Sequence, residues 1–379
     1  MSEELGDGAE TGPQPLVRQW VAVPGGSCDA RFGPGAVEQM GPILKSAVGR
    51  PQDAALVVAA GVGEGLAERV RRQLTDAGFL VHPLACPSQA PARTLPALSD
   101  LLHGLAGAHI TSDDLVCAIG DVDALSLCAH AAAAWCGGVP LVSVPLDLRA
   151  MVEVPCTPRA LDVAGRSQMA SLRAATRYLI CDPEVMDLST DGEHAACARA
   201  LMVATAVAES EKSFSTLWDK ASDVMGGDVD LVGEAAVSAL KSRGHLATST
   251  ALAIRQSLEY GQTFTRALGR LTQGSVRESI LMAEALRFAA RISAGLGRLP
   301  VDDVLAQDEL LDMLGLGYAR CDVEPDRLVA ALKEERFLRT NRFLLAVPNA
   351  LGRVRMTTVD DGLLAEHAGA WCQAHATGA

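Results

Sequence analysis

From Ala54 onward, short apolar runs alternate with amphipathic stretches. The run ALVVAAGVG predicts a buried strand, EGLAERVRRQLTDAGF a helix closed at Ala77-Gly78, and LVHPLA a second strand. The same alternation continues through TLPALSDLLHGLAGAHI as a helix, LVCAIGD as a strand, ALSLCAHAAAAWCGG as an Ala-rich helix and VPLVSVP as a strand. Repeated β-α units of this kind predict a parallel sheet with helices on both faces. A Pro- and Arg-containing stretch at 145–177 interrupts the rhythm before one more apolar strand, YLICD at 178–182.

After Pro183 strand signals nearly vanish. Helical patterns occupy 193–220, 228–243, 246–269, 275–297, 306–315 and 325–335, and NRFLLAVP with GRVRMTTV predicts a hairpin near 341–358. The expected organisation is a disordered tail at 1–15, an α/β Rossmann-like domain at 16–183 and a mainly α-helical domain at 184–379. There is no internal repeat.

Composition narrows the partners. A net charge of −13 with no Lys/Arg block disfavours nucleic acid and anionic membranes. No apolar run approaches the roughly 20 residues of a membrane span, and the start MSEELGDGAETGPQP is acidic where a signal peptide would be basic and then apolar. Ten scattered cysteines without a C-x-x-C pair read as small core residues of a cytoplasmic protein.

Several motifs carry candidate chemistry. Gly61-Val62-Gly63-Glu64-Gly65 sits at a strand-to-helix turn where a phosphate would bind, but its spacing is not G-x-G-x-x-G and Glu64 opposes an anion. A second turn, Gly120-Asp121-Val122-Asp123, also follows a strand, at the sheet edge where ligands usually lie; ordinary capping by Asp121 is the competing reading. The eight histidines show no metal-ligand spacing, and no G-x-S-x-G elbow is present. Lys241, Arg255 and Arg266 fall at intervals of 14 and 11 residues, near whole helical turns, and form either an anion site or a solvated face.

Taken in order, these segments resemble the dehydroquinate synthase, or sugar-phosphate cyclase, family. Leu258-Glu259-Tyr260-Gly261-Gln262-Thr263-Phe264-Thr265-Arg266-Ala267 resembles its L-N-x-G-H-T-F-G-H-A motif, and SVRESILMAEALRFAARISAGLG its H-G-E helix. TLPALSDLL, SDDLVCAIGD, AHAAAAWCGGVPLVSVP, YLICDPEVM, LVGEAAVSALK and NRFLLAVPNALG follow in family order, so the likeness runs from about residue 50 to 355. The specificity lies in the collinear series, since each motif is individually altered.

The resemblance places Leu201, Gln262 and Val276 where the family has its three metal ligands, and Arg266 where it has a second histidine. Neither leucine nor valine donates a lone pair, so zinc or cobalt is not expected. The family's glycine-rich nicotinamide turn becomes Gly120-Asp121-Val122-Asp123-Ala124-Leu125-Ser126, its G-E-x-x-K becomes Gln89-Ala90 with Arg93, and its P-T-T-L-L becomes Pro145-Leu146-Asp147-Leu148-Arg149. Gly120 and Asp121 are the remaining candidates for contact with NAD, and no cofactor is expected.

What survives is cationic and acidic. By resemblance Lys241, Arg255, Arg159 and Gln262 are the substrate-binding candidates, and Glu153, Glu259, Glu278 and Arg266 the catalytic ones. The resulting expectation is a homodimeric enzyme of bacterial specialised metabolism, such as antibiotic biosynthesis, performing metal- and NAD-independent cyclase or lyase chemistry on an anionic small molecule. Two alternatives stand beside it: a non-catalytic pseudoenzyme that binds or regulates a partner, and an enzyme still using NAD.

Overall fold

The computed structural model describes residues 15–48, 52–86 and 93–378. The tail expected at 1–15 and the Gln89-Ala90 pair fall outside these, apart from Pro15. In chain order the elements are β1 (Val17–Val23), β2 (Gly26–Phe32), α1 (Ala36–Val48), β3 (Asp53–Val58), α2 (Glu64–Asp76), β4 (Leu80–Ala85), α3 (Leu95–Gly107), β5 (Leu115–Gly120), α4 (Val122–Ala134), β6 (Leu141–Pro145), α5 (Leu148–Glu153), β7 (Leu161–Val163), β8 (Arg166–Ala170) and β9 (Tyr178–Cys181). There follow α6 (Glu193–Glu209), α7 (Glu211–Asp219), α8 (Ala221–Gly226), α9 (Val229–Thr248), α10 (Leu252–Arg255), α11 (Gln262–Thr272), α12 (Glu278–Gly295), α13 (Val301–Met313), α14 (Pro325–Phe337), the hairpin β10 (Leu344–Ala350) and β11 (Arg353–Thr358), and α15 (Asp361–His375).

Seven strands form one sheet in the order β1-β2-β9-β6-β5-β3-β4. All neighbours pair in parallel except β1 with β2. The central strands β5, β6 and β9 are buried at every residue, which is why they read as continuous apolar runs. One face packs on α1 and α2 through Met40, Leu44, Val70 and Leu74, the other on α3 and α4 through Leu101, Leu105, Leu125 and Leu127. The Rossmann-like sheet followed by a mainly helical part is the architecture that the alternation predicts.

The largest apolar cluster joins β1, β2 and α5 to α6, α9 and α12. Close backbone approach makes this contact possible. A Cβ on Gly233 would strike the ring of Phe32, and one on Gly244 would strike the Ala22 carbonyl and lie 2.8 Å from Val21 Cγ1. Thus Gly244 lies inside α9, and the helical run breaks instead after Thr248, where Ser249 and Ala251 turn extended, and again at Tyr260-Gly261 where Gly261 takes φ 79°. The single helix expected over 193–220 is likewise two, because Ser210 leaves the helical region and its side chain caps α7 by accepting from the Ser213 N–H at 3.0 Å. Among the described residues no helix is long and apolar enough to cross a membrane.

The packing separates two kinds of glycine. Gly244→Ala is expected to cost about 1–3 kcal/mol, because β1 must move off α9. By contrast, Gly65 in α2 has open space around its Cα, so Gly65→Ala is expected to gain about 0.4–1 kcal/mol. Urea unfolding of both variants measures the two opposite shifts.

Candidate functional site

Three sheet strands end side by side, at Gly120, Pro145 and Cys181, and Arg149, just beyond the second of them, reaches the first turn of α12 across the cleft that separates the strand ends from that helix. The turn after β5 is closed tightly. A Cβ on Gly120 would come within 2.8 Å of Ala124 Cβ and 3.0 Å of Ala59 Cβ. Asp121 caps α4 by accepting from the N–H groups of Asp123 at 3.1 Å and Ala124 at 2.9 Å. These are the orphan amides that an anionic ligand would otherwise take at a helix start.

A chain of alternating charges runs from this turn across the cleft. Arg93 donates from Nε to Asp123 at 2.9 Å and pairs with Asp162 at 3.2 Å. Arg159 donates to the same Asp123 oxygen at 3.0 Å and lies 3.5 Å from Glu278. Arg149, on α5, grips Glu278 with both terminal nitrogens, at 2.8 and 2.9 Å, and holds Glu153 from Nε at 3.0 Å. Three guanidinium groups thus alternate with four carboxylates. Burial would raise the Glu278 carboxyl, but the hydrogen bonds and charge of Arg149, reinforced by Arg159 and Arg93, outweigh it and hold the group at about 2. Glu278 also opens α12, where the helix dipole favours a negative charge.

A second group surrounds Arg266 on α11. Its Nη2 donates to Gln168 Oε1 at 2.6 Å and Gln262 Oε1 at 3.3 Å, and its Nη1 lies 3.7 Å from Glu259. Arg336 approaches the same Glu259 oxygen at 3.9 Å, and that oxygen is buried without a hydrogen bond. Gln168 reaches Arg266 from the β7–β8 hairpin with φ 56°, the left-handed region that non-glycine residues seldom adopt.

Leu201 and Gln262 line one small cavity of about 10 Å³, room for a single water, whereas Val276 is packed in the core. The cation that reaches this cavity is Arg243. It is 6% exposed, donates to Thr205 Oγ1 at 3.2 Å and Thr157 Oγ1 at 2.8 Å, and leaves its Nε without a partner. Thr157 in turn lines a larger cavity of about 370 Å³ together with Arg255, Arg173, Thr248 and Ser249. Arg255 is oriented there by the carbonyls of Ser249 and Thr250, at 2.5 and 3.1 Å.

The structure therefore distributes the expected site residues. Arg159, Glu278 and Glu153 share the first network, Arg266, Gln262 and Glu259 the second, and Arg255 borders the 370 Å³ cavity. Lys241 lines neither cavity and is exposed on α9. Sequence reasoning passed over Arg243, whose signal is phase: Ala236, Ala239, Leu240, Arg243 and Gly244 share the buried stripe of α9 that Lys241 leaves. Among the described residues one acidic set lies close enough to share a cation, Glu38, Asp182 and Glu184. Asp182 there already accepts the Val37 and Glu184 N–H groups, and none of the three belongs to the cleft.

No family model matches the chain. The 3-dehydroquinate synthase of Caulobacter vibrioides is 23% identical over 338 residues, covering 86% of this chain and 90% of its own. That of Geotalea uraniireducens is 24% identical over 316 residues, covering 82% and 87%. Among solved structures, a 2-deoxy-scyllo-inosose synthase complexed with carbaglucose-6-phosphate, NAD+ and Co2+ superposes with TM-score 0.78 at 15% identity, over 93% of this chain and 99% of that one. A 2-epi-5-epi-valiolone synthase from Streptomyces hygroscopicus subsp. jinggangensis, with NAD+ and Zn2+ bound, gives 0.74 at 15% identity, over 94% and 99%. Together with the collinear motifs, these likenesses show a chain that is dehydroquinate synthase-like in sequence along most of its length and has the fold of the sugar-phosphate cyclases.

Proposed function

We propose that this protein is a metal- and nicotinamide-independent lyase or cyclase acting on an anionic small molecule bound against Arg255. The observation that carries the reading is Arg243, a buried guanidinium beside Leu201 and Gln262, where the resemblance puts metal ligands. A fixed cation there supplies positive charge without coordination, and the donor set of leucine, amide and valine does not fit zinc or cobalt. At the α4 turn the Asp121 carboxylate holds the amides a pyrophosphate would need, so these residues do not fit NAD either.

In this reading the substrate anion occupies the 370 Å³ cavity beside Arg255 and Arg173, and Arg243 acts one hydroxyl away through Thr157. Proton transfer is assigned to Glu259, which lines a separate pocket of about 10 Å³ with Phe264 and Leu332 and adjoins the substrate cavity only through its neighbour Leu258. Glu278 and Glu153 are engaged by Arg149, and a carboxyl held at about 2 gives up no proton near neutrality. Glu259 alone of the three has a buried oxygen lacking a hydrogen bond. A non-catalytic role is the second reading, favoured by the excess of carboxylates over guanidinium groups in the cleft network and by the small volume next to Arg243.

Three-carbon to seven-carbon sugar phosphates incubated with the purified protein, with and without EDTA and NAD+, test the choice through product analysis and thermal shift. Turnover unaffected by EDTA or NAD+, reduced about 10²–10⁴-fold in Glu259→Gln, is expected. Saturable binding without turnover establishes the non-catalytic role, and activity only with added metal and NAD+ overturns both readings.

Stability should report the Glu278 network separately. Because its pKa is depressed, ionised Glu278 stabilises the fold above the ordinary glutamate range near ~4.3, and the contribution drains away as pH falls towards about 2. Glu278→Gln lacks it at every pH. Its deficit is expected to be about 1–3 kcal/mol above pH ~5, less than for a fully buried pair because Glu278 retains contact with water, and to shrink as pH falls. Urea unfolding of both proteins across that range measures the convergence.

A further inference from the structure

The geometry points to a second ligand site, a cavity between α12, α15 and the 318–320 segment that takes a flat aromatic carboxylate. Its volume, about 440 Å³, is in the range of small-molecule pockets, and none of its lining residues belongs to the cleft described above.

The shape of the occupant follows from the walls. Phe288 and Trp371 are buried in them, and the Trp371 indole stacks on His375 with centroids 4.5 Å apart and planes 14° from parallel. Tyr318 stands across from His375 with centroids 6.5 Å apart. Although 48% exposed, it is held over the Arg287 guanidinium, 3.9 Å from its ring centre. Flat rings of this kind match another flat ring better than a sugar or an alkyl chain.

Charge then decides the substituent. Among the described residues Glu284 is the one carboxylate in the lining, and its oxygens are already engaged by Trp371 Nε1 at 2.8 Å, His375 Nε2 at 3.0 Å and the Ala319 N–H at 3.3 Å. It has little capacity left for a cationic ligand. Three arginines line the same cavity: Arg287, Arg291 and Arg320. Arg287 is 2% exposed; its terminal nitrogens are taken by Glu284, Asp312 and the carbonyls of Leu316 and Gly317, and only its Nε has no hydrogen-bond partner, the Asp308 carboxylate standing 4.0 Å away. Arg291 also pairs with Asp308, at 2.5 Å, while Arg320 donates to the Ala374 carbonyl at 3.3 Å. Burial lowers the His367 pKa, so this ring adds a neutral edge at neutral pH. An acidic group on an aromatic ring matches the walls and the one buried guanidinium nitrogen, Arg287 Nε, that has no hydrogen bond.

Calorimetry and thermal unfolding of the full chain with benzoate and indole-3-acetate test the site, with cyclohexanecarboxylate and benzylamine as controls. Saturable binding of indole-3-acetate is expected, tighter than either control by about tenfold or more, and weakened by a similar factor in Tyr318→Ala and Arg320→Gln. Ala370→Trp, which fills the cavity from an exposed position on α15, should abolish binding and leave the unfolding midpoint in place. Arg255→Ala should leave binding intact, so failure of the proposed cleft chemistry would not count against this site. Absence of saturable binding to the wild type, equal binding of benzylamine, or retained binding in a folded Ala370→Trp overturns the proposal.

Discussion

The bidentate pair between Arg149 and Glu278 is the interaction around which the cleft is organised. Arg149 follows the central strand β6 and is 5% exposed, so its charge needs a counter-ion wherever the helices settle. Glu278 supplies it from the first residue of α12, and in doing so fixes where that helix begins against the sheet. Arg159 and Arg93 then extend the alternation to Asp123 and Asp162, so that each buried cation touches at least one carboxylate. Removing one member would strand charge on its neighbours, a cost that apolar packing cannot absorb.

Such a network changes how the cleft can hold an anion. In a site built on a metal, positive charge is concentrated on an ion with open coordination positions. Here positive charge is spread over side chains that are already hydrogen-bonded. The less saturated members are therefore the informative ones. Arg159, Arg243, Arg266 and Arg336 each keep a buried Nε without a partner, and Glu259 keeps a buried oxygen in the same state. Those groups, with Arg255 in the lining of the larger cavity, have capacity left for a ligand.

The sheet was legible in the sequence because strands buried on both faces leave uninterrupted apolar runs, as in LVCAIG and LVSVP. β1 and β2 left no such trace: Trp20 is exposed on the edge strand, and β2 carries a buried Asp29 neutralised by Arg18 and Arg31. α15 went unread because half of its apolar positions are alanines, and Gly362 and Gly369 interrupt the pattern. In the cleft, collinear motifs located Arg159, Glu259, Arg266 and Glu278, but they align positions and do not resolve which way a helical side chain faces. Lys241 and Arg243 are two residues apart on α9, about 200° around the helix, so one is exposed and the other buried.

α12 extends the same logic beyond the cleft. It is buried nearly all round, with Leu281, Phe288 and Ile292 in the apolar cluster, yet it carries Glu284 and Arg287 fully inside the protein. An apolar helix of this kind could slide or rotate at small cost, since one buried alanine packs much like another. The charged residues remove that freedom. Glu278 answers Arg149, Glu284 answers Trp371 and His375, and Arg287 answers Asp312 and the carbonyls of Leu316 and Gly317, so any shift in register breaks several satisfied bonds together. The helix is thereby held at its start and along its middle, and the cleft and the aromatic cavity at those two places belong to one rigid element.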